Sequence, residues 1–147
     1  MTTVRALTAE DAPALTALYE EYEWWAKRDV EGVRRALAST PVAVGVEDGR
    51  LVAAARVLTD HQYYATVYDV IVAQECRGEG YGEQLMWAVQ EHSALREVEL
   101  LMLQCREGLV PFYESVGFEV VDSEVQLPGG GTEPLVRMQY ERGGTES

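Results

Sequence analysis

The sequence predicts a mixed α/β fold, one sheet with helices laid on its faces. Three observations point there. Short runs rich in β-branched residues alternate with segments of helical spacing. Hairpin signals come first and strand-helix-strand crossovers later, which implies a mixed sheet. One apolar strand, Asp69-Val70-Ile71-Val72, runs through a glycine-rich turn straight into a helix. At 147 residues and 47% hydrophobic content, the chain fits one domain with a real core. We read residues 1–142 as that domain and residues 143–147 as a disordered tail.

In order, Thr3 to Leu7 reads as a first strand. Thr8 can cap a helix while Asp11 returns the bond, and Pro13 falls in the first turn, where its missing N–H costs little. Leu15, Leu18, Tyr19 and Tyr22 give the helix an apolar face. Glu20, Glu21 and Glu23 end it against its dipole, a local conflict of the kind functional sites show. Trp24 and Trp25 are adjacent and cannot share one helical core face, so one lines a groove or lids the core. A second helix from Asp29 to Ala38 buries Val30, Val33 and Leu37. Val42–Val46 and Leu51–Leu58 form a hairpin about Asp48-Gly49.

Thr59 to Tyr64 is a polar and aromatic loop before a strand over Thr66–Val72. A central helix over Gly80–Leu95 turns Leu85, Met86 and Val89 inward. Val98–Cys105 is a buried strand and Arg106-Glu107-Gly108 a turn. Pro111 opens a short helix that Gly117 ends. Phe118–Val125 is a strand, Pro128–Gly131 a flexible loop and Leu135–Tyr140 the last strand.

Composition narrows the function. A net charge of −13 speaks against a nucleic-acid partner and favours cationic or neutral substrates. No apolar run reaches the roughly 20 residues a bilayer requires. Met1–Arg5 shows no signal region, so we expect a cytoplasmic protein with no membrane partner. Cys76, Cys105 and the two histidines make no metal-ligand pattern, so no metal is expected. Cys105 reads as a buried apolar thiol rather than a nucleophile.

The chemistry concentrates in Arg77-Gly78-Glu79-Gly80-Tyr81-Gly82. Glycines let the backbone approach a ligand, and the helix that follows presents unpaired amides at the positive end of its dipole. Together they suit phosphate oxygens, although a plain strand-to-helix connection also uses glycine. A G-x-x-x-x-G-K-[ST] loop fails for want of the lysine. A dinucleotide fingerprint fails because the spacing is G-x-G-x-G. What matches is Arg-x-x-Gly-x-Gly at Arg77, Gly80 and Gly82, with Phe112-Tyr113-Glu114-Ser115-Val116-Gly117-Phe118 after the next strand.

These two motifs and the element order resemble the GCN5-related N-acetyltransferases, the GNAT superfamily. The resemblance implies a mostly antiparallel sheet of about seven strands with helices on both faces. It also implies acyl-CoA lying in a splay between the two central strands. Backbone groups of Val70, Ile71 and Val72 would hold the pantetheine arm. The amides of Gly78, Glu79, Gly80, Tyr81 and Gly82, with Arg77, would cradle the pyrophosphate. Tyr113 would protonate the departing thiolate. Arg106 stands where many members have an asparagine and is a candidate CoA contact.

The general base is not fixed by motif. Asp69 is the catalytic candidate, with His61, Asp60 and Glu23 as alternatives, although strand alternation sets Asp69 opposite Val70. The expected reaction moves an acetyl group from acetyl-CoA to a primary amine. A small amine is favoured, because acidic and aromatic residues around Glu20–Trp25 and Asp60–Tyr64 would attract it. A protein N-terminus or lysine is the next acceptor. A non-catalytic acyl-CoA-binding module and a transferase for longer acyl groups are the alternatives. A homodimer is the default assembly.

Overall fold

A computed structural model describes residues 2–122, 125–126, 132–133 and 135–142. Its main sheet has seven strands: β1 (Thr3–Ala6), β2 (Val42–Glu47), β3 (Leu51–Thr59), β4 (Tyr64–Val72), β5 (Leu100–Arg106), β6 (Glu119–Asp122) and β9 (Leu135–Glu141). The spatial order is β1-β2-β3-β4-β5-β9-β6. All neighbours pair antiparallel except β4 and β5. A two-stranded ribbon joins β7 (Val125–Gln126) to β8 (Thr132–Glu133).

Helices α1 (Ala12–Tyr19), α2 (Val30–Ser39), α3 (Tyr81–Gln90) and α4 (Val110–Ser115) complete the fold. β2 and β3 are buried at almost every position, which requires cover on both faces. α1 and α2 pack on one another and α1 reaches β3 and β4, while α3 packs on β1 to β4. Leu15, Leu18, Leu85, Met86 and Val89 fill these two layers.

Local chemistry explains the boundaries. Thr8 and Asp11 form the reciprocal cap, with Thr8 Oγ1 accepting from Glu10 N–H at 3.2 Å and Asp11 accepting from Thr8 N–H at 2.8 Å. Asp29 caps α2 through Gly32 N–H at 2.7 Å. α3 stops at Gln90 rather than continuing to Leu95, because His92 takes extended backbone and its Nδ1 accepts from Ala94 N–H at 3.0 Å to start a separate 3-10 turn. β4 begins at Tyr64, earlier than the pattern suggests, because Tyr64 and Ala65 pair with Leu100 and Leu101. The strand expected over Phe118–Val125 is divided, since Val125 leaves the main sheet to pair with Glu133. Pro128–Gly131 and the 143–147 tail lie outside the described residues.

Candidate active site

The parallel pairing of β4 with β5 covers only Tyr64↔Leu100, Ala65↔Leu101 and Thr66↔Met102. Beyond Thr66 the strands part, and a cleft of about 940 Å³ opens between Val67–Val72 and Leu103–Arg106. This is the splay between the two central strands.

β4 carries a bulge just beyond the point where those strands part. Ala54 faces Ile71 but Arg56 faces Tyr68, so β4 holds one residue more than β3 across that interval. The extra residue is at Asp69, whose φ is 54°. Aspartate tolerates this left-handed region better than most residues. Two guanidinium groups hold its side chain in place, Arg28 Nη1 at 2.8 Å and Arg56 Nη2 at 2.7 Å. Burial alone would raise the Asp69 carboxyl, but the two arginines overcome it and keep it below the usual carboxylate range.

Ala73 N–H donates to Val52 O on β3 at 2.8 Å. Backbone groups alternate along a strand, so those of Ile71 also turn toward β3 and those of Val70 and Val72 turn into the opened side. The Val72 carbonyl accepts from the Tyr22 hydroxyl at 2.5 Å. Tyr22 Oη in turn accepts from Arg77 Nε at 3.1 Å, and the Arg77 guanidinium lies 5.1 Å from the Tyr22 ring centre. Tyr22 therefore joins the end of α1, the open edge of β4 and the glycine loop. Glu21, after α1, joins the same anchorage, since its Oε1 accepts from Gln74 N–H at 2.8 Å and Gln74 Nε2 donates to Glu21 O at 2.9 Å.

In the loop, Gly78 and Gly80 take φ of 81° and 88°, and a Cβ at either would meet nothing within 4 Å. The backbone is thus bare to the cleft at both. Gly80 is the N-cap of α3, whose first amides have no partner inside the helix. Gly82 is a packing residue as well, because a Cβ there would stand 3.1 Å from Phe112 Cζ. Tyr81 points away from this cradle to donate to the Asp48 carboxylate, which pushes its phenol up to about 12.

Tyr113, on α4, lines the cleft with a side chain that is 5% exposed. Its hydroxyl makes no hydrogen bond among the described residues. Desolvation raises its pKa, with the Cys105 thiol adding to the effect. It is therefore a neutral phenol with a proton to donate. Cys105 is buried, contacts Met138 Sδ at 3.7 Å and is itself pushed up to about 11 by burial, which suits an inert thiol.

The alternative bases lie elsewhere. Asp60 accepts from Gln62, Tyr63 and Tyr64 N–H, which lowers its pKa, and His61 Nδ1 sits 3.3 Å from Ala94 O. Neither they nor Glu20 and Glu23 line the cleft. The acidic lining expected around Glu20–Trp25 and Asp60–Tyr64 is thus not assembled, because these carboxylates cap turns or face solvent. The aromatic part of that expectation does reach the cleft: Tyr22, Trp24 and Trp25 line it. Trp25 packs against the core and Trp24 is 54% exposed, with the Arg106 guanidinium 4.5 Å from its ring centre.

The acetyltransferase (GNAT) domain family matches residues 19–141. The chain belongs to this family. Curated relatives include a probable acetyltransferase TAP2 of Glycine max, 31% identical over 83 residues, covering 56% of this chain and 34% of that protein. Serotonin N-acetyltransferase 2, chloroplastic, of Oryza sativa is 32% identical over 120 residues, covering 78% of this chain and 59% of that protein. The first three relatives are matched over 34%, 28% and 55% of their lengths, so the chain spans roughly a quarter to just over half of them.

Among solved structures, an aminoglycoside 6'-N-acetyltransferase complexed with coenzyme A superposes with a TM-score of 0.79 at 15% identity, over 95% of this chain and 96% of that one. The ribosomal-protein-S18-alanine N-acetyltransferase of Escherichia coli gives 0.76 at 18% identity, over 96% and 94%. These confirm the seven-stranded, mostly antiparallel GNAT fold. The bare Gly78–Gly80 backbone, the α3 amides and Arg77 fit an acyl-CoA pyrophosphate in this GNAT domain. No helix among the described residues is long and apolar enough to cross a membrane.

Three features of this GNAT site escaped sequence reasoning. The Tyr22 bridge joins residues far apart in the chain, with no local signal. The Arg28–Asp69–Arg56 cluster had one: an aspartate interrupting an apolar strand marks a bulge or an ion pair. Arg137 also lines the cleft, brought there only by the pairing of β9 with β5.

Proposed function

We propose that this domain transfers an acetyl group from acetyl-CoA to a primary amine by direct attack. The observation that carries the reading is the β4–β5 splay, which leads from the bare glycine loop past the free edge of β4 to Tyr113. Gly78, Glu79, Gly80, Tyr81 and Gly82 amides and Arg77 hold the pyrophosphate. Val70 and Val72 offer backbone groups to the pantetheine arm, with Ile71 tied back to β3. As the amine nitrogen bonds to the thioester carbon, the Val70 amide donates to the oxygen on which charge develops. The carbon–sulfur bond breaks, and Tyr113 gives its proton to the departing thiolate. Holding both reactants in one cleft supplies proximity.

Asp69 suits a positioning role better than proton abstraction. Two guanidiniums stabilise its charged form, so it is a weak proton acceptor near neutral pH. It fixes the bulge that turns Val70 toward the reacting carbonyl. The amine proton then leaves through water. Arg106, on the opposite wall over Trp24, faces the acceptor side.

Thiol release from acetyl-CoA over a panel of primary amines tests the reaction, with calorimetric CoA binding measured in parallel. Turnover on an amine supports the reading. CoA binding with no turnover on small amines, peptide N-termini or lysine peptides overturns it in favour of a non-catalytic acyl-CoA module. Sedimentation analysis checks the homodimer that the family resemblance suggests.

A further inference from the structure

The cleft has a second wall whose chemistry the acetyl-transfer reading leaves unused. Direct cross-strand partners share a face of a sheet, and side chains alternate along each strand. Thr66 pairs with Met102, Gln104 with Arg137 and Arg56 with Tyr68. Tyr68, Met102, Gln104, Arg106 and Arg137 therefore lie on one face of the sheet. Leu101, Leu103, Cys105, Val136 and Met138 are buried on the other. The first face is the side on which Trp24 stands over Arg106.

The charge of this face runs against that of the chain. The sequence holds 12 Lys and Arg against 25 Asp and Glu. Yet the lining of the cleft has three cations, Arg77, Arg106 and Arg137, and two carboxylates, Asp69 and Glu83. Asp69 is already held by Arg28 and Arg56, and Glu83 sits on α3 across the cleft. Arg5, Arg28, Arg34, Arg50 and Arg56 are all ion-paired. Arg106 and Arg137 form no ion pair among the described residues, although Asp122 on β6 lies in register with Arg137.

We infer that the acceptor is a small amine carrying an anionic group, a carboxylate or a phosphate, anchored by Arg137 and Arg106. This rests on the acetyl-transfer reading. The planar guanidinium fork matches either oxyanion in two-point fashion. Trp24 holds Arg106 by stacking, so little of its freedom remains to be lost. Trp24 and Tyr68 supply apolar surface for the body of the acceptor. The same positive field disfavours an ammonium ion, so it lowers the pKa of the bound amine and eases loss of its proton without a dedicated carboxylate base. A polyamine would meet unpaired cations instead of counter-charge.

The test pairs amines that differ only in the anion: phenylalanine against phenethylamine, and O-phosphoethanolamine against ethanolamine, with spermidine as a cationic control. Binding to the CoA-loaded protein is followed by calorimetry and turnover by thiol release. The anionic member of at least one pair is expected to bind about tenfold or more tightly than its partner, as a charge-assisted contact gives. Arg137→Gln brings the ratio within that pair to near one and moves the rising limb of kcat/KM to higher pH. The carboxylate and phosphate pairs distinguish the two sources of the anion. Equal binding within both pairs, preference for spermidine, or an unchanged ratio in Arg137→Gln overturns the inference. Selective binding of an anionic amine without turnover upholds this inference while counting against acetyl transfer.

Discussion

The wall formed by β4 and α3 offers mainly backbone to the cleft, whereas the wall formed by β5 and β9 offers side chains. On the first, Gly78 and Gly80 have nothing within 4 Å of a would-be Cβ, and the edge of β4 is unpaired beyond Thr66. On the second, Gln104, Arg106 and Arg137 project from β5 and β9, which pair with each other from Leu100 to Arg106. A backbone wall reads what all acyl-CoA molecules share, and a side-chain wall can change its reading by substitution without disturbing the fold. The first is constrained by geometry and the second by chemistry.

The comparison breaks most easily at Gly80. Gly80→Asp puts a Cβ at φ 88° and a carboxylate into the cradle proposed for the pyrophosphate. We expect about a thousandfold loss of CoA affinity, the sum of backbone strain and a like charge in the cradle. Affinity within a few-fold of the parent in calorimetry would remove the loop from cofactor binding. Next comes Tyr113→Phe, which should lower kcat about a hundredfold, typical of a lost general acid, while CoA affinity holds. Because desolvation lifts this phenol above its ordinary value, its deprotonation should not bring kcat down below about pH 10. A descending limb near neutrality that Phe abolishes would contradict that.

Asp69 sharpens the contrast, because it is a side chain serving the backbone wall. Asp69→Asn should cost about 2 kcal/mol, short of the full value for a buried pair because one arginine is partly solvated. The folded Asp69 carboxyl lies below its unfolded value, so its contribution is present above about pH 4 and lost as pH falls through the folded pKa. The melting temperature of the parent should therefore drop more steeply than that of the variant as pH falls below about 4. The smallest effect belongs to Gly82→Ala. The 3.1 Å approach to Phe112 costs about 1 kcal/mol, and the better helix propensity of alanine returns about as much. Chemical denaturation should find the two proteins nearly equal, and a large loss would mean that the Phe112 ring cannot shift.

The backbone wall was largely legible in the sequence. Glycine spacing, β-branched runs and an Arg-x-x-Gly-x-Gly pattern are local, and local patterns report local backbone. The hairpins, the Thr8–Asp11 cap and the buried faces of α1 and α3 follow from the same kind of signal. The side-chain wall was not legible. Arg137 reaches the cleft only through its register with Gln104, and the register of a strand so far along the chain has no signature in either segment. The acidic residues near Trp24 misled for a related reason: a carboxylate in sequence gives no sign of whether it will cap a turn, as Asp60 does, or face a ligand. His92 shows the limit at element ends, where one capping nitrogen stopped α3 short of Leu95.

The short parallel pairing of β4 with β5 has a mechanical consequence. Over three residue pairs it stitches β1–β4 to the β5–β9–β6 group, so the domain is two half-sheets meeting at a seam. Past those pairs, the backbone groups of Val70 and of β5 face the splay rather than each other. A pantetheine arm, itself built from amides, would fill that gap as a substitute strand and bond to the open edge. Occupancy should then stiffen the whole sheet rather than the loop alone, with hydrogen exchange slowing on both half-sheets together. The ligand would serve as the missing rung of the protein's own ladder.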